Sequence, residues 1–285
     1  MSLVAQFKEA RNGLAQRLIS TSLFRKCVAP KTMRLGPDVK WVTISCGDHI
    51  ITCSPNETIG KAIYQTGAYQ RDLTERAINE LSRRGLVKQG AILELGANIG
   101  TQSVYMMLTR KFQKIVCVEP DPRNVQLLEK NLKDNGFLPN ATIIEAAAGD
   151  KDGSVSLNQF EHNHGRSSIV LGAHTGQSIT VPMLSFDSIL HRAKLRAEDI
   201  AFIWMDVEGA EPIVARAITK VFELKVPMAL EYTPAAYGAN TASEFIALLS
   251  NYYRMCVNIE SSEAIERKTT ELPAEGEQLN ILLLP

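Results

Sequence analysis

The chain is short of charge imbalance, of paired cysteines and of long apolar runs, and each shortage removes a class of protein. Lys plus Arg and Asp plus Glu both total 31 in 285 residues, so overall charge exerts no pull toward a polyanion. The five cysteines (Cys27, Cys46, Cys53, Cys117, Cys256) form neither a C-x-x-C pair nor a zinc-ligand spacing. That fits a reducing, cytoplasmic setting. No stretch approaches the roughly 20 apolar residues that cross a bilayer, and the amino terminus lacks the uninterrupted apolar core of a secretory signal. Internal repeats and low-complexity tracts are absent too. With 45% apolar and 22% charged residues, the chain reads as a soluble globular protein of one large domain plus an extension.

Charge is unevenly spread. Residues 1 to 40 hold eight basic side chains against Glu9 and Asp38, which leaves the body mildly acidic. Leu3, Phe7, Leu14, Leu18 and Ile19 recur at helical spacing among Lys8, Arg11 and Arg17. Such a helix over residues 1–26 either packs on the domain with a solvated basic face or contacts a membrane surface or targeting machinery. WVTISCGDHIITC (41–53) alternates like a hairpin turning at Gly47-Asp48, which sets Val42, Ile44 and Cys46 on one face with Ile51 and Cys53. Residues 58–86 have helical periodicity broken near Thr66-Gly67. These elements define an N-terminal extension, 1–85, ahead of a main domain, 86–285.

From residue 91 the spacing predicts strands at 91–95, 114–119, 141–147, 201–206, 227–231, 254–259 and 279–284, several of them nearly continuous apolar runs suited to burial on both faces. Helices fall between them. One spans 122–135, capped by Asp121 with Pro122 in its first turn; another starts near Glu211-Pro212. The alternation predicts a doubly wound, mostly parallel α/β sheet with its ligand site at the carboxyl ends of the strands. An insertion at 153–185 carries two alternating segments around the polar loop EHNHGRSS.

The specific stretch is AILELGANIGTQ, residues 91–102. A strand ending in Glu94-Leu95-Gly96-Ala97-Asn98-Ile99-Gly100 and feeding a helix makes a tight turn whose amides face the crevice. The nicotinamide-dinucleotide fingerprint G-x-G-x-x-G is missing, because Asn98 stands at its middle glycine. Glu119 closes the next strand 23 residues after Gly96, placed to accept hydrogen bonds from ribose hydroxyls. A nucleoside ligand with a positive centre in place of a pyrophosphate fits an acidic, glycine-lined pocket. S-adenosylmethionine has those properties, with Glu94, Glu119 and Asp206 expected around its sulfonium.

The set ILELGANIG, VCVEPDPRNVQLLEKNL, IIEAAAGDKDGSVSL and WMDVEGAEPIVARA resembles the FkbM family of S-adenosylmethionine-dependent methyltransferases, over roughly residues 55–260. Glu94 replaces the family's more usual aspartate, and Trp204-Met205 stands where lysine-isoleucine is common. The resemblance implies a Rossmann-like class I methyltransferase sheet carrying an N-terminal helix/hairpin extension, and O-methylation of a sugar, glycan or polyketide-type small molecule. Position by position it implies that Gly96, Ala97, Asn98 and Gly100 form the cofactor turn and that Glu119, followed by Pro120, holds the ribose. Glu145, Ala146 and Ala147 would border the adenine, and Asp206 would lie beside the methionine part or the substrate.

An alcohol nucleophile must lose its proton. Asp206 and Glu208, two apart at a strand end, could repel one another enough to raise one pKa and supply a general base. For Glu211 a capping role is expected instead. His164, with His162, offers a second source of a base; their H-x-H spacing lacks a third ligand, so no metal is expected. Tyr64, Tyr69, Tyr232 and Tyr237 flank the crevice or simply pack. No Asn-Pro-Pro-Tyr sequence or Pro-Cys pair is present, and the acidic body argues against a nucleic-acid groove. Two rivals stay open: a catalytically silent S-adenosylmethionine-binding protein and a nicotinamide oxidoreductase. Acceptor specificity is expected from residues 55–75, 158–180 and 232–240.

Overall fold

A computed structural model describes residues 39–160, 164–170, 177–261 and 263–285. The expected helix at 1–26 and His162 lie outside them. The chain divides into two compact units, one ending at Tyr69 and the other running Gln70–Pro285. The helix at 71–83 thus belongs to the larger unit, ahead of the boundary expected near residue 85.

In the smaller unit, β1 (Val42–Ser45) and β2 (Ile50–Cys53) pair antiparallel with Val42 opposite Cys53 and Ile44 opposite Ile51. Cys46 N–H donates to His49 O at 2.8 Å, which leaves Gly47-Asp48 as the two-residue turn. Helix α1 (Thr58–Thr66) follows and stops at Gly67, whose left-handed φ of 83° lets its amide return to Ile63 O.

The larger unit opens with α2 (Arg71–Arg83). An eight-stranded sheet follows, made of β3 (Ala91–Leu95), β4 (Lys114–Glu119), β5 (Ala141–Glu145), β9 (Ile200–Met205), β10 (Met228–Tyr232), β11 (Met255–Asn258), β12 (Ile265–Lys268) and β13 (Leu279–Leu284). Their spatial order is β12-β11-β13-β10-β9-β3-β4-β5. Strands β5, β4, β3, β9 and β10 run parallel, while β13 lies antiparallel between β10 and β11. The chain winds outward from β3 to β5, then returns to β9 on the other side of β3. This reversal opens the crevice beside the tips of β3, β4 and β9.

Helices α3 (Thr101–Leu108), α4 (Pro122–Asp134), α5 (Phe186–Ala193), α6 (Glu211–Ala217), α7 (Thr219–Glu223), α8 (Pro234–Tyr237) and α9 (Ala239–Ser250) complete the unit. One continuous core joins Leu93, Leu95, Val118, Ile203 and Met205 of the strands to Ile189, Val214, Phe245 and Leu249 of α5, α6 and α9. On the other side, buried Phe202 stacks on Phe112 with ring centroids 5.8 Å apart. Because successive strand residues alternate faces, Glu94 shares its face with Ile92 and, across β9, with Phe202 and Trp204 rather than with Leu93 and Leu95.

Two elements differ from the sequence reading. The apolar run 141–147 breaks at Ala146, whose amide bonds Glu119 O at 3.1 Å. The next two residues form β6 (Ala147–Ala148) and leave for a second sheet, ordered β6-β8-β7, with β7 (Gly153–Asn158) and β8 (Ser178–Leu184) of the insertion. Strand β12, sequence IERK, has no apolar run to announce it. It is a charged edge strand, the type of edge that discourages further strand pairing.

Arg84, just after α2, bridges Glu80 and, at 2.8 Å, Glu266 of β12, while Arg83 bonds both oxygens of Glu80. These arginine hydrogen bonds outweigh burial and hold the Glu80 pKa at about 2. The stabilisation is therefore present above the unfolded value of about 4.3 and is lost as pH falls through about 2. Glu80→Gln is expected to cost about 1–2 kcal/mol in urea unfolding at pH 7, a gap that narrows toward pH 2.5.

Candidate active site

The glycine turn after β3 is fixed by a close approach. A Cβ on Gly96 would lie 1.7 Å from the carbonyl oxygen of Asp206, and the residue has φ of 84°. Only glycine fits. The Asp206 amide in turn donates to Leu95 O at 2.9 Å, locking the tip of β3 to that of β9. Gly96 and Ala97 amides both reach Val118 O on β4, at 2.9 and 3.1 Å.

Glu119 ties the turn to β4. Its Oε2 accepts the Asn98 amide at 2.8 Å, and its Oε1 accepts the Asp121 amide at 2.9 Å and Asn124 Nδ2 at 3.3 Å. The side chain is buried, and burial outweighs these donors, pushing its pKa up to about 7. Asp121, fully buried, caps α4 through the Arg123 amide and also accepts from Gln159 at 2.9 Å and Ser167 at 3.3 Å. The insertion is stapled a second time where Ser168 Oγ donates to Glu208 O at 2.6 Å.

A cleft lies between these elements. Gly96, Asn98, Glu119, Pro120, Asp206 and Glu208 line it together with Ala146 and Ala147. The expected turn, ribose and adenine positions therefore converge. Sequence reasoning missed the walls contributed by Val118, Asn124 and Leu157, of which Asn124 was legible from its place in the first turn of α4; Gly165, Ser167 and Ile169 fall within the 158–180 stretch expected to face the acceptor.

Other expected site residues fall elsewhere. Glu94 is 1% exposed and does not line the cleft. It turns beneath α3, where Ser103 Oγ and Cys117 Sγ donate to it, so it is corrected from a neighbour of the sulfonium to an interior acid. Burial first, then the charges of Asp206 and Glu119, raise its pKa to about 8. Ala97 is buried behind the turn, and Gly100 sits at the start of α3 against Leu128. Glu145 is exposed at the end of β5, away from the lining. His164 begins a short 3-10 turn, His164–Arg166, next to the lining residue Gly165. Tyr232 packs in the core with its hydroxyl on Pro273 O, and Tyr237 meets it edge to face.

At the tip of β9 carboxylates accumulate. Glu208, with φ of 50°, has its pKa raised to about 8 by burial and by Asp206 and Glu211, with Arg166 opposing. Glu211 accepts the amides of Val207 and Gly209 at 2.9 and 3.0 Å in the loop before α6, so it ties that loop and does not cap the helix as expected. Burial also raises the Asp206 pKa. Sequence reasoning missed one member of this group, Glu231 at the end of β10. Its position, a carboxylate closing an apolar strand, is the one occupied by Glu119, and that was its available signal.

The sheet order, with a glycine turn after the central strand and an acid closing the next, defines a class I, Rossmann-like methyltransferase. The methyltransferase FkbM domain matches residues 94–252, and the chain belongs to that family. The 2-O-methyltransferase NoeI of Sinorhizobium fredii (strain NBRC 101917 / NGR234) is 27% identical over 135 residues, 42% of this chain and 54% of that protein. The chain thus spans about half the length of that relative. Among solved structures, the O-methyltransferase from Bacillus cereus in complex with SAH aligns with TM-score 0.42 and 10% identity, covering 74% of this chain and 81% of that one. M. jannaschii TYW2 in complex with AdoMet aligns with TM-score 0.41 and 10% identity, covering 87% and 86%.

The interior acid gives a pH test. A carboxyl whose ionisation the fold penalises contributes its full stability below about 4.3 and loses it as pH rises through the folded value, here about 8 for Glu94. Glu94→Gln is therefore expected to match the parent protein near pH 5 and to melt about 5 °C higher at pH 8.5, read by circular dichroism. Asp121→Ala is expected to cost about 2–3 kcal/mol and to speed limited proteolysis within the insertion.

Proposed function

We propose that this protein transfers a methyl group from S-adenosylmethionine to a hydroxyl of a sugar, glycan or polyketide-type small molecule. The observation that carries the reading is the Glu119 carboxylate, buried beside the Gly96 turn and lining the cleft. The donor set fits the cofactor: Val118, Ala146, Ala147, Leu157 and Ile169 offer apolar surface for a purine. Among the described residues Glu119 Oε2 accepts one protein donor, so it keeps capacity for a ribose hydroxyl. The long Asn124 contact on Oε1 can yield the second.

When bound, S-adenosylmethionine supplies an activated methyl group on a good leaving group. The protein's own task is alignment and exclusion of water, and orientation of this kind is worth up to about 7–11 kcal/mol. The insertion, held by Asp121 and the Glu208 carbonyl, roofs the cleft through Gly165, Ser167 and Ile169 and serves the second purpose. Asp206 and Glu208, facing the same cleft, are the groups placed to receive the acceptor's proton. The name of the 2-O-methyltransferase relative supports a hydroxyl acceptor, and the missing fingerprint glycine at Asn98 disfavours a nicotinamide.

S-adenosylhomocysteine at 100 times its Kd is expected to stabilise the protein by about 2.7 kcal/mol, seen as a rise in Tm that NADH does not produce. Glu119→Ala should abolish the rise while leaving the unliganded melt cooperative. Stabilisation by NADH in place of S-adenosylhomocysteine would overturn the reading.

A further inference from the structure

The nucleoside side of the cleft and its roof meet in three consecutive residues. Glu119 carries the carboxylate proposed for the ribose, Pro120 lines the cleft beside it, and Asp121 is wholly buried behind them. The Asp121 amide donates to Glu119 Oε1 at 2.9 Å. The Asp121 carboxylate divides its work: Oδ1 caps α4 by accepting the Arg123 amide at 3.0 Å, and Oδ2 accepts Gln159 Nε2 at 2.9 Å and Ser167 Oγ at 3.3 Å. The proline between the two acids has one of its backbone torsions fixed by its ring. A change at Glu119 therefore meets little slack before it reaches Asp121.

Gln159 and Ser167 flank the contact that closes the roof. Asn158 and Ser168 exchange backbone hydrogen bonds at 2.9 and 3.0 Å, and Ser168 Oγ donates to Glu208 O at 2.6 Å. Gly165, Ser167 and Ile169 of this stretch line the cleft, whereas Asn158 and Ser168 do not. The roof is thus tied on one side to the turn after β4 and on the other to the loop after β9.

We infer that Asp121 is a positioning residue that couples ribose binding at Glu119 to the order of the roof, so that the acceptor side of the cleft is completed once the cofactor is in place. The inference rests on the proposed cofactor reading and gives it a sequence of events, cofactor first and acceptor second. The link is the strength of one hydrogen bond. Burial raises the Glu119 pKa to about 7, so near neutral pH neither form of the carboxyl dominates, and hydroxyl donors favour the ionised one. An amide bonded to an ionised oxygen is held about twice as strongly as one bonded to a neutral group. Ribose hydroxyls on Glu119 therefore tighten the Asp121 backbone, and its carboxylate becomes a better-fixed anchor for Gln159 and Ser167. By linkage the anchored roof strengthens cofactor binding by the same factor.

A purine resting on Leu157 and Ile169 would also tighten the roof, by direct contact and with no part played by Asp121. The two routes differ in what the ligand must carry. Direct contact needs the base, whereas the route through Asp121 needs the ribose hydroxyls.

Hydrogen exchange at the Asn158 and Ser168 amides, followed by NMR in the full chain, separates the routes. Rates are expressed relative to a core amide such as that of Leu93, which removes whole-molecule stabilisation. The probes are S-adenosylhomocysteine, adenosine and 2′,3′-dideoxyadenosine, compared at equal fractional occupancy. The first two are expected to slow exchange at both amides about fivefold or more, and dideoxyadenosine less than about twofold. Gln159→Ala combined with Ser167→Ala leaves the α4 cap and the Asp121 amide bond in place. With its folding checked by its melt, this variant should bind S-adenosylhomocysteine about fivefold more weakly and lose the slowing at saturation. Equal slowing by adenosine and dideoxyadenosine, or slowing retained in the variant, would overturn the role of Asp121. Unchanged exchange in a parent protein that binds S-adenosylhomocysteine would do the same and leave the cofactor reading standing. Failure of the parent to bind S-adenosylhomocysteine would overturn both.

Discussion

The approach of the Gly96 turn to the carbonyl of Asp206 is the constraint on which the rest of the site depends. It sets two strand tips at contact distance, and because β9 is where the winding reverses, the same contact defines the floor of the crevice. From that point the nucleoside side extends through Asn98 and Glu119 to β4 and the small residues after β5. The acidic side extends through Glu208 to β10. A side chain at residue 96 would push these halves apart by more than the length of a bond, so the demand on glycine here is primarily one of chain packing, with ligand access following from it.

The same turn is held ready without a ligand. Asn98 lies in the left-handed region with φ of 49°, a conformation asparagine tolerates better than most side chains, and its amide is already committed to Glu119. In the proposed complex the oxygen that accepts this amide is the one with room for a ribose hydroxyl, so backbone and ligand would share one acceptor. Ordering that a flexible loop would undergo on binding has been completed during folding.

Much of this was legible in the order of residues. Strand ends at Leu95, Glu119 and Met205 could be read because apolar runs stop abruptly at carboxylates or glycine, and the capping role of Asp121 followed from local chemistry. Glu94 could not be placed by position alone. In a strand buried on both faces every residue looks like a core residue, so the alternation that decides which way a carboxylate points leaves no trace in hydropathy. Glu231 and the tie of the insertion to Asp121 escaped for a different reason: their significance arises from neighbours distant in sequence, although the two strands of the insertion were themselves readable. The edge strand β12 was hidden because its charged residues, suited to solvent, carry no strand-like pattern.

Asp121 does two jobs with one carboxylate, ending a helix with one oxygen and gripping both feet of the insertion, at Gln159 and Ser167, with the other. Asn158 and Ser168, which exchange two backbone hydrogen bonds at 2.9 and 3.0 Å, close the same span from within. Lengthening it costs only about 0.6 kcal/mol per doubling of the loop. The roof can thus be remodelled for differently shaped acceptors while the strand tips beneath it keep their geometry.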